Sequence, residues 1–240
     1  MILRIAYFAA LLMVALLTIG LQLDRAARTH PELAEWTPPP LRSGAQAAIA
    51  RKAQREGAAD RALEDARTLV ARRPVPAEHL TLLALAEATA GDPRAGARTL
   101  EIAGTRGWRE PLAQEAMARI ALANGDGEAA ALRLIALMLR PQTPAALLED
   151  IAAATFASSR GEAVQAVGEI VAAGERWQGQ YLRRGAATFP PRAFADATAR
   201  AIASGARFDC PSLQTAQRIL LAREEPESEA FAPIVAAQCR

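Results

Sequence analysis

The sequence predicts an all-α chain. An N-terminal transmembrane helix is followed by helix–turn–helix units stacked as an α–α superhelix, a solenoid, and closed by a C-terminal helical cap. Three observations carry this expectation. Gly57, Gly91 and Gly125 stand at intervals of 34 residues, a period typical of a two-helix unit stacked on copies of itself. Residues 5–23 (IAYFAALLMVALLTIGLQL) hold no formal charge. The composition is 51% hydrophobic but only 5% aromatic, and about one residue in four is Ala. That balance favours helices over sheets.

The apolar stretch comes first. Nineteen residues span about 28 Å as a helix, close to the hydrocarbon thickness of a bilayer. A core helix of that length would show a polar stripe, and none is present. The alternative is a cleaved signal peptide, with an unusually long apolar region and no A-x-A site before Asp24. Arg4 precedes the span, while Asp24, Arg25 and Arg28 follow it, so the positive-inside difference is small. The short tail before Arg4 suits a signal anchor with a cytoplasmic N-terminus. The expected protein is thus single-pass in a bacterial inner membrane, touching lipid through residues 5–23 and placing its soluble part in the periplasm.

Cysteine and charge bear on the same expectation. Cys210 and Cys239 are the only cysteines, and an even count beyond the membrane suggests a disulfide. Closing a loop of that length contributes roughly 3–4 kcal/mol on the loop-entropy account. The alternative is two unpaired thiols in a cytosolic domain. Lys52 is the only lysine, an Arg bias that fits a GC-rich bacterial genome. With a formal charge of +2 and no basic cluster interleaved with aromatics, no nucleic-acid partner is expected.

Residues 24–43 read as a Pro-rich linker, because Pro38-Pro39-Pro40 favours an extended polyproline segment and blocks a continuous helix. Trp36 either sits near the headgroups or packs on the first repeat. Over 44–176 the glycine interval extends to a fourth copy at Gly161, after two extra residues placed in the loop Pro141–Pro144. Seven residues before the glycines stand Ala50, Ala84, Ala118 and Ala154; five after them stand Ala62, Gly96, Ala130 and Ala166. Small residues at both positions let two antiparallel helices approach closely. Larger residues nine and twelve after the glycines, among them Leu69, Leu100, Leu134, Leu137 and Ile170, fill the space to the next pair. Each glycine is expected to end a first helix through its access to left-handed angles.

These columns, with the Gly91-Asp92 and Gly125-Asp126 turns and with Pro74 and Pro141 near the unit ends, resemble the tetratricopeptide (TPR) repeat. The resemblance covers about four units, roughly residues 44–176. It departs where that family carries large aromatics in the first helix, here Gln46, Leu80, Gln114 and Asp150. It implies a concave groove lined by first helices, with Arg51, Gln54 and Arg55 from the first unit and Glu78, Thr81 and Leu85 from the second. The third would offer Glu115, Arg119 and Leu122, and the fourth Ile151 and Thr155. Arg51, Arg55 and Arg119 would hold a carboxylate or a peptide C-terminus through paired hydrogen bonds.

Residues 177–240 lose the period and carry Trp177, Tyr181, Phe189, Phe194, Phe208 and Phe231. Helices are expected near 178–188, 192–204, 212–223 and 228–238, as a cap over the last hydrophobic face.

No nucleophile elbow, phosphate loop, dinucleotide fingerprint or zinc-protease motif occurs. His30 and His79 are the only histidines and neither neighbours a cysteine. Catalytic residues, a metal site, a cofactor and a small-molecule substrate are therefore not expected. The implied function is a membrane-anchored scaffold or chaperone-like factor that binds other envelope proteins or peptide segments, in secretion, cytochrome maturation or envelope biogenesis. The alternatives are an accessory subunit of an integral membrane complex and, more remotely, an enzyme with an unrecognised site in 177–240.

Overall fold

Helices make up the architecture of the computed structural model, which describes residues 2–158 and 160–239; no strand occurs among the described residues. The chain divides into two units, Met1–Gly107 and Trp108–Arg240.

The first unit opens with α1 (Ile2–Ala26). Its side chains are solvent-exposed from Ile2 to Ile19, and its most apolar window has a mean hydropathy of 2.3. By length and composition it is apolar enough to cross a membrane, as a single-pass anchor or a signal sequence would be. The helix runs three residues past the expected boundary at Leu23, and those residues do structural work. Asp24 is buried, and its carboxylate accepts hydrogen bonds from the backbone N–H of Ser43 (2.6 Å), Gly44 (3.0 Å) and Ala45 (2.9 Å). These are orphan donors at the start of the next helix, α2 (Gly44–Arg55), so a side chain on α1 caps it. Burial pushes the Asp24 carboxyl up, but the three N–H groups and the charge of Arg28 outweigh it and hold the group below its ordinary value.

Between α1 and α2, where the sequence suggests a linker, the chain makes two 3-10 turns, Pro31–Leu33 and Pro39–Leu41. Ala27 and Ala34 are buried in one cluster with Ala45, Ala48 and Ile49 of α2. Two helical hairpins follow: α2 with α3 (Ala59–Arg72), and α4 (Ala77–Thr89) with α5 (Pro93–Arg106). Their crossings use the small-residue columns. A Cβ built on Gly96 would stand 2.6 Å from the carbonyl oxygen of Ala84, closer than real Cβ contacts come. Ala50, Ala53, Ala62, Ala66 and Ala86 form a second buried cluster.

Both hairpins turn alike. Gly57 (φ +71°) and Gly91 (φ +94°) lie in the left-handed region. Gly57 N–H donates to the Gln54 carbonyl (3.3 Å) and Ala58 N–H to Ala53 (3.1 Å); Gly91 N–H donates to Ala88 (3.2 Å) and Asp92 N–H to Glu87 (2.9 Å). This is the Schellman pattern. Asp92 then caps α5 by accepting from Ala95 N–H at 2.9 Å.

The second unit repeats the device at Gly125, omits it at Gly161 and uses it again at Gly205. The hairpin α6 (Pro111–Ala123) with α7 (Gly127–Met138) closes at Gly125 (φ +71°), and Asp126 caps α7 through Ala129 N–H. The fourth copy differs from expectation. Gly161 lies inside α9 (Arg160–Ala173) without a left-handed angle, so it ends no helix. Instead α9 packs chiefly on α7 and on α11 (Pro191–Ala203), and less on α8 (Ala145–Ser158). The left-handed turn recurs at Gly205 (φ +100°), after α11, where Gly205 N–H donates to Ile202 and Ala206 N–H to Ala201, both at 2.9 Å.

The C-terminal helices are α10 (Gln178–Thr188), α11, α12 (Cys210–Leu221) and α13 (Ala232–Gln238). One continuous core joins them to α7, α8 and α9. Its centre is aromatic: Phe156–Phe189, Tyr181–Phe194 and Phe194–Phe231 ring centroids lie 5.3, 5.3 and 5.0 Å apart. Cys210 and Cys239 are paired at disulfide distance, with Cα atoms 5.5 Å apart.

Candidate functional site

The turns described above fix which face each first helix shows to solvent. In the first unit, Gln54 Nε2 donates to Thr89 Oγ1 at 2.7 Å, holding α2 beside α4. On the surface so formed, Arg51, Arg55, Glu78 and Leu85 are exposed and Gln54 is half-buried. Arg55 reaches back to the Arg51 carbonyl at 3.4 Å, and neither guanidinium is ion-paired with a carboxylate among the described residues. Beside them lies a notch of about 530 Å³ bordered by Glu35, Lys52, Arg55 and Glu56. Lys52 bridges to Glu35 at 2.5 Å; that bond holds the Glu35 carboxyl below its usual value and the Lys52 ammonium above its own. Thr81 is the exception. It is buried and its hydroxyl donates to the Ala77 carbonyl at 3.1 Å, so it offers nothing to a partner.

In the second unit, Arg119 is exposed and Glu115 and Leu122 are half-buried. Arg119 is already engaged, to Glu115 at 3.1 Å and to Asp150 at 3.0 Å, and those two hydrogen bonds raise its pKa above the ordinary arginine value. A ligand carboxylate would compete with both. Ile151 and Thr155, expected in the groove, are fully buried, and the Thr155 hydroxyl bonds the Ile151 carbonyl at 2.7 Å. α8 packs against α6, α7, α9 and α10, and this face joins the core that holds Phe156 and Phe189. The groove positions exposed or half-buried are thus Arg51, Gln54, Arg55, Glu78 and Leu85 in one unit, and Glu115, Arg119 and Leu122 in the other.

Two of the four eroded aromatic positions are filled by hydrogen-bonded amides. Gln46 is buried and donates to both the backbone and the carboxylate of Asp65 (3.2 and 3.0 Å). Gln114, also buried, accepts from Arg133 at 3.0 Å. In each, the amide ties a first helix to its own second helix. Buried polar groups need such partners.

One repeating set escapes the sequence reading above. Arg72, Arg106 and Arg140 stand 34 residues apart, at the ends of α3, α5 and α7. Each sends its guanidinium to main-chain carbonyls in the loop that enters its own hairpin. Arg72 bonds Pro39 (2.9 Å) and Arg42 (3.0 Å), Arg106 bonds Pro74 (2.9 Å), and Arg140 bonds Arg109. They clamp the open end of each hairpin, opposite the glycine. The glycine interval would have exposed them, had the arginines been aligned by the same offset.

In the C-terminal region a cavity of about 640 Å³ is bordered by Glu175, Gln178, Arg207, Phe208 and Asp209. Its Asp209 carboxylate already caps α12, accepting from Ser212 N–H at 2.8 Å, a bond that lowers its pKa. Among the described residues no group of three or more His, Cys, Asp or Glu is arranged to hold a metal ion. His79 is buried against the Arg73 carbonyl at 3.1 Å, while His30 is exposed beside Glu32. No protein-family model, curated protein or solved structure matches the chain.

Proposed function

We propose that this protein is a membrane-anchored, tetratricopeptide-like binding scaffold, and that it holds protein or peptide partners on the α2–α4 face at the bacterial cell envelope. The observation that carries the reading is that face itself. Among the described residues Arg51 and Arg55 have no carboxylate partner, and Leu85, one turn before the Thr89 that Gln54 bonds, is 48% exposed. Two forked cations next to apolar surface suit an acidic or C-terminal peptide segment. Fixing the face to a membrane through α1 raises its effective concentration near membrane-bound partners. The soluble part is assigned to the periplasm, where the Cys210–Cys239 pair would persist as a disulfide.

The test is photo-crosslinking in native membranes from Leu85 of the full-length chain, with and without Arg51→Glu and Arg55→Glu together. Crosslinks that vanish on charge reversal are expected; crosslinks that persist unchanged remove the case for this face. Stoichiometric co-purification with a membrane complex in mild detergent would favour an accessory subunit instead. A phosphatase fused after the last residue should be active, and an inactive fusion places the domain on the cytoplasmic side.

A further inference from the structure

We infer that residues 36–41 are a membrane-seated strap, lying at the acyl–headgroup boundary against the C-terminal half of α1, with lipid acyl chains filling the notch between them. This rests on α1 entering a bilayer, as proposed above. The strap is packed on the helix: Leu41 closes over the bare backbone of Gly20, and a Cβ at that glycine would also meet Pro38 at 3.7 Å. Beyond this contact opens an apolar notch of about 520 Å³, lined by Leu12, Met13, Leu16, Leu17, Pro38 and Leu41 among others. It is continuous with the exposed apolar surface of α1.

The backbone of the strap is suited to lipid. Hydrocarbon supplies no acceptor for a free N–H, so irregular chain is excluded from it unless its donors are satisfied internally. Pro38, Pro39 and Pro40 have no N–H to satisfy. The remaining donors from 36 to 42 are all bonded within the segment or to the turn before it: Trp36 to Leu33 (3.2 Å), Thr37 to Ala34 (3.3 Å), Leu41 to Pro38 (2.9 Å) and Arg42 to Pro39 (3.3 Å). The Trp36 side chain is 77% exposed, and Arg25 and Arg28 are exposed just beyond the span. An indole at the edge of an apolar surface, with cations on its polar side, matches a membrane–water boundary.

The full-length protein is reconstituted into phosphatidylcholine–phosphatidylglycerol vesicles with or without acyl-brominated phosphatidylcholine. Tryptophan emission is then compared between the parent chain and Trp36→Phe; the difference reports Trp36. That component is expected to lose intensity to brominated lipid, more with bromine near the headgroup than near the chain end, and to resist aqueous iodide. A second variant, Leu12→Trp in the Trp36→Phe background, reports α1 through its difference from Trp36→Phe, which retains Trp108 and Trp177. If Leu12→Trp is quenched by brominated lipid while the Trp36 component is quenched only by iodide, the strap is overturned and the anchor stands. If neither responds to brominated lipid, both readings fall together. Shielding of Trp36 from iodide in native membranes but not in vesicles would assign the notch to a protein partner and overturn the lipid assignment.

Discussion

The two units solve the same problem with different materials. In Met1–Gly107 the two buried clusters are alanine but for Ile49, with Leu63, Leu82 and Leu83 packed against one of them and Leu69 and Leu80 buried elsewhere. In Trp108–Arg240 one continuous core contains Phe156, Tyr181, Phe189, Phe194 and Phe231. Alanine crossings permit close helix approach but remove little apolar area from water per residue, whereas an aromatic side chain buries 150–250 Å². The first unit must therefore draw more of its stability from turns, caps and clamps, and the second from its core.

The sharpest way to break this comparison is truncation of the aromatic centre. Phe194→Ala should cost about 3–5 kcal/mol, read as a lower urea midpoint. A loss under about 1 kcal/mol would mean that the second unit is not held by its core. Next in size is the bridge. Replacing Cys210 and Cys239 with Ser should cost roughly 3–4 kcal/mol for a loop of this length, measured by thermal unfolding of the variant against the oxidised parent.

Asp24→Ala probes the opposite strategy. It leaves three N–H groups of the first unit without their acceptor and should cost about 2 kcal/mol, read as faster amide exchange at Ser43, Gly44 and Ala45. Proton linkage sharpens the contrast. Because the folded pKa of Asp24 is depressed, its contribution is present above the unfolded value of about 3.9 and fades as pH falls below that through the folded value. Tyr181 runs the other way. Burial raises its phenol and the bond to Thr198, which lowers it, does not compensate. Its neutral form is thus retained in the fold, and stability is lost as pH rises past the unfolded value of about 10. Asp24 thus gives the first unit an acid-sensitive share and Tyr181 gives the second an alkali-sensitive one; Tyr181→Phe should abolish its share of the alkaline effect in pH-dependent denaturation.

The smallest effects come from two glycines of the same sequence column. Gly57→Ala forces a side chain into a left-handed conformation and should destabilise by about 1 kcal/mol. Gly161→Ala, in a helix with nothing within 4 Å of its new Cβ, should stabilise by up to about 1 kcal/mol. Equal shifts in melting temperature would erase the distinction between true turns and an accidental repeat.

Those glycines also mark how far the sequence can be read. The 34-residue interval correctly finds three helix ends at Gly57, Gly91 and Gly125, because a Schellman turn needs a residue that tolerates positive φ. It misplaces Gly161, because an interval carries no information about backbone angle. In the C-terminal region, prolines and Gly205 bracket the helices closely, and α10 falls at the expected 178–188. Asp24 escapes notice because its three acceptor bonds reach 19 to 21 residues along the chain, beyond any local capping pattern. On the candidate face, the surface status of Arg51, Arg55 and Leu85 follows from helical offset. The burial of Ile151 and Thr155 does not, since it depends on how α8 meets an aromatic core that sequence offset does not describe.

The arginine clamps carry a consequence for tolerance to substitution. Arg72, Arg106 and Arg140 grip carbonyl oxygens, which every amino acid presents. The loops entering the second and third hairpins can therefore be rewritten freely as long as their backbone path is kept, whereas the first also carries the strap at residues 36–41. The arginines cannot be exchanged as freely, since each must reach from a helix end to a main-chain carbonyl of the entering loop, and at Arg72 one guanidinium nitrogen serves two of them. Change is thus cheap in the loops and expensive at one position per hairpin. New surfaces can be grafted between units there without redesigning the helices that hold them.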